Sequence, residues 1–328
     1  MKLIIDCDTG IDDALALLYA VASPEAELLA VTCTAGNIEA RQVATNTRAL
    51  LELCGKPEIE VALGRQTPLV RPLMIAPETH GPRGVGYAEL APPTTQISPR
   101  HSADLIIEEA RRAPGEVTLI TLAPLTNLAV ALVREPELPR LLRGLVMMAG
   151  SYRSAGNTAP TSEWNVAVDP EAMALVLAGW DACEGVRRPV ALGLDITERA
   201  KMTPELLARL HATAGDPAAN PILTFVDDAL RFYMEFHSQY DGFYGAFIHD
   251  ALAVAAALDP DLITTESLTV EVELGGRWTT GETVTDWRRS WRRPPNLDVA
   301  VAARVDVFFE RFVDRVGNLA KRHSDVAI

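Results

Sequence analysis

The chain has 328 residues, 48% of them hydrophobic and 23% charged, with a formal net charge of −14. That composition suits a globular protein able to bury a large core, and its acidity excludes nucleic acid as the main partner. No apolar run nears the roughly 20 residues that cross a bilayer, and no secretory leader is expected, because Lys2 is followed at once by a short strand.

Strand-like and helix-like segments alternate from the start. Leu3-Ile4-Ile5 reads as a buried strand and residues 14–20 as a helix. The pattern then predicts a strand over 28–34, a helix over 39–54 ended by Gly55, and a short strand over 58–63. Residues 64–100 are irregular and rich in proline and glycine. Next come a helix over 103–112 stopped by Pro114-Gly115, a strand over 117–122, and a helix over 124–134. Pro124 would sit near the start of that helix, where a missing N–H costs least. Strands over 145–148 and 189–194 flank a helix over 170–179, and helices broken around Gly215-Asp216-Pro217 and Asn220-Pro221 fill 203–245. A helix over 251–258, strands over 267–274, 283–287 and 297–301, and an amphipathic helix over 307–319 complete the chain. Such βαβα alternation implies an α/β fold, a mostly parallel sheet flanked by helices on both faces. No repeat or linker is visible, so residues 1–328 read as one domain. The cysteines (Cys7, Cys33, Cys54, Cys183) lack metal-type spacing and read as reduced thiols of a cytoplasmic protein.

The most informative stretch is Asp6-Cys7-Asp8-Thr9-Gly10-Ile11-Asp12-Asp13, which holds four carboxylates in one strand-to-helix turn. A helix N-terminus welcomes one or two of them, such as Asp12 and Asp13. Four repel each other unless something positive sits among them, and a hard divalent cation, Ca²⁺ or Mg²⁺, is the natural solution. Ligands of open α/β sheets bind at the carboxyl ends of the strands. The acidic turn follows the first strand, Ala35-Gly36-Asn37 the second, Leu122-Ala123-Pro124-Leu125-Thr126-Asn127 a third and Met148-Ala149-Gly150 a fourth. These polar residues are therefore expected to meet on one rim.

Five blocks in order resemble the inosine–uridine nucleoside hydrolases: the acidic turn, Ala35-Gly36-Asn37, Pro124-Leu125-Thr126-Asn127, Asn157 with Glu163-Trp164-Asn165, and His249-Asp250-Ala251-Leu252-Ala253-Val254. Gly281-Glu282-Thr283-Val284-Thr285-Asp286 and Pro295-Asn296 also fit, so the resemblance spans nearly the whole chain. It implies an open, mixed, mostly parallel sheet with a Rossmann-like core, one bound Ca²⁺, hydrolysis of the N-glycosidic bond of ribonucleosides, and a homodimer or homotetramer. Thr9 departs from a frequent proline, and Leu122 from a threonine of some members.

By the same resemblance Asp8 is metal ligand and general base, Asp13 and Asp250 bind the ion through carboxylates, and Leu122 binds it through its carbonyl. Asp6 would orient these ligands. Asp12, Asn37, Asn157, Glu163 and Asn165 would read the ribose hydroxyls, Glu163 and Asn165 sharing one side of an extended segment with Trp164 turned away. His249 resembles the proton donor to the leaving base, and a histidine there points to a broad or pyrimidine-tolerant enzyme. His80, in the irregular stretch, either approaches the base or is a solvated loop residue. The stretch 64–100 and the region 203–245 are expected to form a lid.

Two rival readings exist. The opening also scans as a haloacid-dehalogenase-like Mg²⁺ phosphohydrolase with Asp6 as nucleophile and Asp8 as acid/base, but Asp12-Asp13 would then have no role. A catalytically silent nucleoside-binding protein would not need Asp8, Asp13 and Asp250 intact. The basic, Trp-bearing segment 287–293 reads as a surface loop or subunit contact.

Overall fold

The computed structural model describes residues 1–215 and 220–324. Its strands in chain order are β1 (Lys2–Cys7), β2 (Glu27–Cys33), β3 (Glu60–Leu63), β4 (Val117–Thr121), β5 (Gly144–Met148), β6 (Val190–Leu192), β7 (Lys201–Met202), β8 (Ala246–Phe247), β9 (Ile263–Leu268), β10 (Val270–Val272), β11 (Thr283–Thr285) and β12 (Leu297–Ala303). Eight of them form one sheet in the order β3-β2-β1-β4-β5-β6-β12-β9, while β7–β8 and β10–β11 make two-stranded ribbons. Within the large sheet only β9 runs antiparallel, against β12; every other pair is parallel. The fold is the mixed, mostly parallel α/β sheet expected.

Strand alternation divides the core in two. Leu3, Ile5 and Cys7 face the side covered by helices Ile11–Ala22, Ala40–Leu53, Pro221–Tyr240, His249–Leu258 and Val305–Ser324, and Ile4 faces Ser102–Arg112, Thr126–Arg134 and Pro170–Asp181. Both faces are covered, which is why the strands read as continuous apolar runs rather than alternating ones. The last helix is held by aromatic packing: the Tyr19 ring lies 6.0 Å from those of Phe308 and Phe312. Burying each phenylalanine contributes about 1.5–3 kcal/mol.

The sheet order creates the site. From β1 the chain winds to one side through β2 and β3, then crosses to the other through β4, β5 and β6. A crevice opens between the carboxyl ends of β1 and β4, where the winding reverses. The acidic turn, Ala35-Gly36-Asn37, Leu122 and Ala149-Gly150 all leave the sheet on this rim.

Several boundaries differ from those expected. The helix after β4 begins at Thr126, so Pro124 lies in the loop before it. The strand expected over 267–274 is two strands. Ile263–Leu268 pairs with β12, and the chain then leaves the sheet at Thr269 so that β10 pairs with β11. Thr269 is fixed there by its hydroxyl, within 3.2 Å of the carbonyls of Arg293 and Pro294. Asp216-Pro217 lies outside the described residues, but helices Pro204–Ala214 and Pro221–Tyr240 flank it as the pattern requires. Segment 287–293 is a clamped turn. Asp286 accepts the N–H groups of Ser290 and Trp291, and the Trp287 indole N–H donates to the Tyr152 carbonyl under the Arg153 guanidinium. All four cysteines are free and buried. Among the described residues, no helix is long and apolar enough to cross a membrane.

Candidate active site

The crevice contains a cavity of about 570 Å³, within the range of small-molecule sites. At one end Asp12 and Asp250 stand in the wall, with Asp13 and Asp8 fully buried behind them. Asp12 and Asp13, in the first turn of helix Ile11–Ala22, and Asp250, in the first turn of His249–Leu258, each bring an oxygen to within 4.8 Å of the others. Asp13 also accepts the N–H groups of Gly10 at 2.9 Å and Asp8 at 3.1 Å, so the helix-capping reading is true of it. Asp8 is fully buried beside this trio. Its Oδ2 accepts the Asn37 N–H at 2.7 Å, and its Oδ1 has no partner.

Burial, and next the charge of Asp13, pushes Asp8 far above the usual carboxylate range and lifts Asp12 to about 8. Burial raises Asp13 too, and burial followed by the charge of Asp12 raises Asp250. Among the described residues, no ion pair reaches any of the four. All donors are oxygens, one is buried and orphaned, and nothing positive from the protein offsets them. The set fits a hard cation.

Asp6 lies deeper and does not line the cavity. Its Oδ1 accepts the Thr32 hydroxyl at 2.5 Å and the Asn127 amide at 2.8 Å, and burial lifts it to about 7. Asp6 takes no part in the trio of Asp12, Asp13 and Asp250, a cluster that a phosphohydrolase with Asp6 as nucleophile leaves without a role, so the arrangement speaks against that reading.

Asp12, Asn37, Leu122, Asn157, Glu163 and Asn165 all line the cavity. Asn37 Nδ2 donates to Asp13 at 3.0 Å. Asn165 Nδ2 donates to the carbonyls of Leu122 at 2.9 Å and Met148 at 3.1 Å, which leaves the Leu122 oxygen a second lone pair. Glu163 accepts N–H groups from Gly150, Asn165 and Val166; burial still carries it to about 6 against these donors. The extended segment expected at 163–165 is absent. Glu163 is the N-cap of the short helix Trp164–Val168, and capping geometry brings both Glu163 and Asn165 to the cavity. Trp164 is not turned away and lines it as well. Asn157, at the exposed mouth, accepts the Trp164 N–H at 2.9 Å.

The other end is aromatic. Ring contacts run from His80 to Tyr233 (5.7 Å), His237 (4.5 Å), Phe247 (4.7 Å) and His249 (5.7 Å). His80 is 6% exposed and accepts the Ile11 N–H at Nδ1 (3.2 Å), so it is no solvated loop residue and carries its hydrogen on Nε2. His249 Nδ1 lies 2.8 Å from the Thr197 hydroxyl, which itself donates to the Gly193 carbonyl. The hydrogen between His249 and Thr197 therefore belongs to His249 Nδ1, and Nε2 is its free nitrogen. Burial, then the charge of His237, takes both His80 and His249 down to about 3.

A family model described as inosine-uridine preferring nucleoside hydrolase matches residues 3–310. The chain belongs to that family. This nucleoside hydrolase is 37% identical to the inosine-uridine preferring nucleoside hydrolase of Leishmania major, over 95% of its own length and 94% of the relative's. It is 36% identical to the pyrimidine-specific ribonucleoside hydrolase RihA of an Enterobacter species, over 98% and 99%. Among solved structures, a purine-preferring ribonucleoside hydrolase from Gardnerella vaginalis matches with a TM-score of 0.90 at 29% identity, covering 98% of this chain and 100% of that one. A plant nucleoside hydrolase matches with a TM-score of 0.88 at 28% identity, covering 96% and 98%. The hydrolase is an N-glycosyl hydrolase of ribonucleosides, a reaction for which paired acidic and aromatic ends are chemically apt. Tyr233, His237, Phe247 and Thr197 escaped the sequence reading. Tyr233 and His237 stand four apart on one helix face, and a histidine on that apolar face was the available signal.

Proposed function

We propose that this hydrolase depends on Ca²⁺, demands ribose and tolerates a range of bases. The carboxylate cluster with its orphaned Asp8 oxygen carries the proposal. Asp8, Asp13, Asp250 and the Leu122 carbonyl would hold the ion, with Asp12 adjoining them. When bound, Ca²⁺ neutralises the cluster and lowers the pKa of a neighbouring water. Asp8 takes the proton of the attacking water through its free Oδ1, and Asp6, tied to Thr32 and Asn127, keeps the acidic turn in register.

Asp12, Asn37, Asn157, Glu163 and Asn165 read the ribose hydroxyls. The water oxygen bonds to C1′ as the C1′–N bond breaks, and the base departs toward His80 and His249. His249, its Nδ1 held by Thr197, turns Nε2 toward that base and donates from it once the ring has taken up a second proton. A histidine offers the base a proton and little shape selection, and the relatives' names range from pyrimidine-specific to purine-preferring. The irregular stretch and helix Pro221–Tyr240 act as a lid, a reading supported by Tyr87, whose hydroxyl donates to Glu235 at 2.6 Å. The family resemblance further supports a homodimer or homotetramer, the free buried cysteines support a cytoplasmic setting, and residues 1–328 act as one domain.

The test is side-by-side turnover of uridine, cytidine, inosine, adenosine and 2′-deoxyuridine. A site built to bond a hydroxyl rejects its absence by roughly 10⁴-fold, so deoxyuridine should be nearly inert while the ribonucleosides are all cleaved. Comparable rates for uridine and deoxyuridine would overturn the assignment of the polar end.

A further inference from the structure

Three histidines surround the aromatic end, and one of them has a carboxylate behind it. His237, in the last turn of helix Pro221–Tyr240, is 4% exposed and lines the cavity. Its Nδ1 lies 2.7 Å from Oδ2 of Asp241, the C-cap one turn on. Its Nε2 is buried and has no hydrogen-bond partner among the described residues. An ionised carboxylate only accepts, so Nδ1 carries the hydrogen and Nε2 either is bare or holds the second proton of an imidazolium. A buried nitrogen left unpaired is costly. A substrate group entering the cavity can remove that cost.

We propose that His237, held by Asp241, is a proton donor to the departing base, beside His249. The proposal rests on the reading that the aromatic end takes the base. His249 has a neutral hydroxyl at Nδ1, and His80 accepts a backbone N–H there; neither partner favours a cation as a carboxylate does. Asp241, 2.7 Å from Nδ1 of His237, does favour a cation on the ring, and the helix C-terminus adds to it. Burial is the larger influence and, with the ammonium of Lys201 over the rings of Phe243 and Phe247, it leaves the His237 pKa below the ordinary imidazole value despite Asp241. The other titratable groups lining this end are Glu78, Glu198, Tyr233, Tyr240, His80 and His249.

The step balances. As the C1′–N bond breaks its electron pair goes to the base, and the Nε2 proton of His237 moves to a base nitrogen or carbonyl oxygen. The water oxygen bonds to C1′ and its proton goes to Asp8. Asp8 returns that proton to solvent, and His237 regains one from solvent. Asp241 is a positioning residue, 41% exposed, which stands between the ring and bulk water.

The experiment compares H237Q, D241N and D241E with the wild-type holoenzyme on uridine, inosine and p-nitrophenyl riboside, whose phenolate leaves without protonation. General-acid loss is expected to lower kcat of H237Q on the nucleosides by about 10²-fold or more, and on the nitrophenyl riboside by less than about threefold, since that step needs no acid. In D241N the imidazolium loses its counter-charge and deprotonates at lower pH, so the alkaline limb of kcat on uridine moves to lower pH; D241E restores it. Equal losses on both substrate classes, or a limb that stays put in D241N, overturns the proposal, and D241N alone suffices should H237Q fail to fold. The readings fail separately. A wild type inert on every ribonucleoside sinks the proposed function, whereas an active wild type with an unimpaired H237Q variant sinks only the dyad.

Discussion

Gly36 sets how closely the loop after β2 approaches the buried carboxylate of Asp8. A Cβ there would lie 2.1 Å from Asp8 Oδ2 and 2.9 Å from Pro124 Cδ, distances no side chain tolerates. The absence of a side chain lets the Asn37 N–H reach Asp8 at 2.7 Å. Gly36→Ala should displace Asp8 without touching substrate. By analogy with the loss of groups that orient metal ligands, Ca²⁺ affinity and activity on uridine should each fall about 10–100-fold. Calorimetric Ca²⁺ titration beside a uridine assay checks this, and a variant with wild-type affinity and rate would show that the loop has room to spare. Thr9, where the resemblance leads one to expect proline, sets its hydroxyl 2.6 Å from that of Thr47 in the core.

Among the elements, helix Ala40–Leu53 steadies the irregular stretch through one residue. Glu52 accepts the N–H and hydroxyl groups of both Thr94 and Thr95. Chiefly the Thr94 N–H, then the Thr95 hydroxyl, hold its carboxyl down from the ordinary 4.5 to about 2. A depressed acid stabilises the fold above its unfolded pKa, and that contribution fades as pH falls from about 4.5 through about 2. Glu52→Gln should therefore cost about 1 kcal/mol at pH 7 and almost nothing near pH 2. Urea midpoints of both proteins across this range measure it; a gap that persists undiminished at the acid end would mean that packing, not charge, carries the contact. On its other flank the stretch meets helix Pro221–Tyr240, with the Tyr87 ring 5.0 Å from that of Phe232 in an edge-on contact.

At the scale of the whole molecule, folding drives four carboxylates together with no cation of the described residues paired to them, so stability and activity should both follow the metal. Ca²⁺ at 100 times its Kd stabilises by about 2.7 kcal/mol, which for a chain of this length raises Tm by about 4 °C. Chelator-treated protein should melt lower by about this amount, lose activity, and regain both when Ca²⁺ is added. Scanning calorimetry with matched uridine assays checks it. Full activity and an unchanged Tm in chelator would remove the ion from the account.

The sequence by itself determined the alternation of strand and helix, the acidic turn and the rim on which the polar blocks meet. Runs such as Leu3-Ile4-Ile5 are apolar because both faces of the sheet are covered, and that signal is local. Tertiary structure decided what depends on distant partners. The chain breaks at Thr269 because β12 and β11 compete for neighbouring residues, and no local propensity records such a competition. Glu163 and Asn165 reach the cavity through an N-cap on a five-residue helix, too short to leave a periodic trace. Asp12, assigned to ribose, stands within the tight trio with Asp13 and Asp250 because two helix N-termini converge. His237 reads as one polar residue on an apolar helix face until the fold makes it part of the cavity lining. Periodicity is written in neighbours along the chain, whereas convergence is written in residues more than two hundred positions apart, such as Asp13 and Asp250.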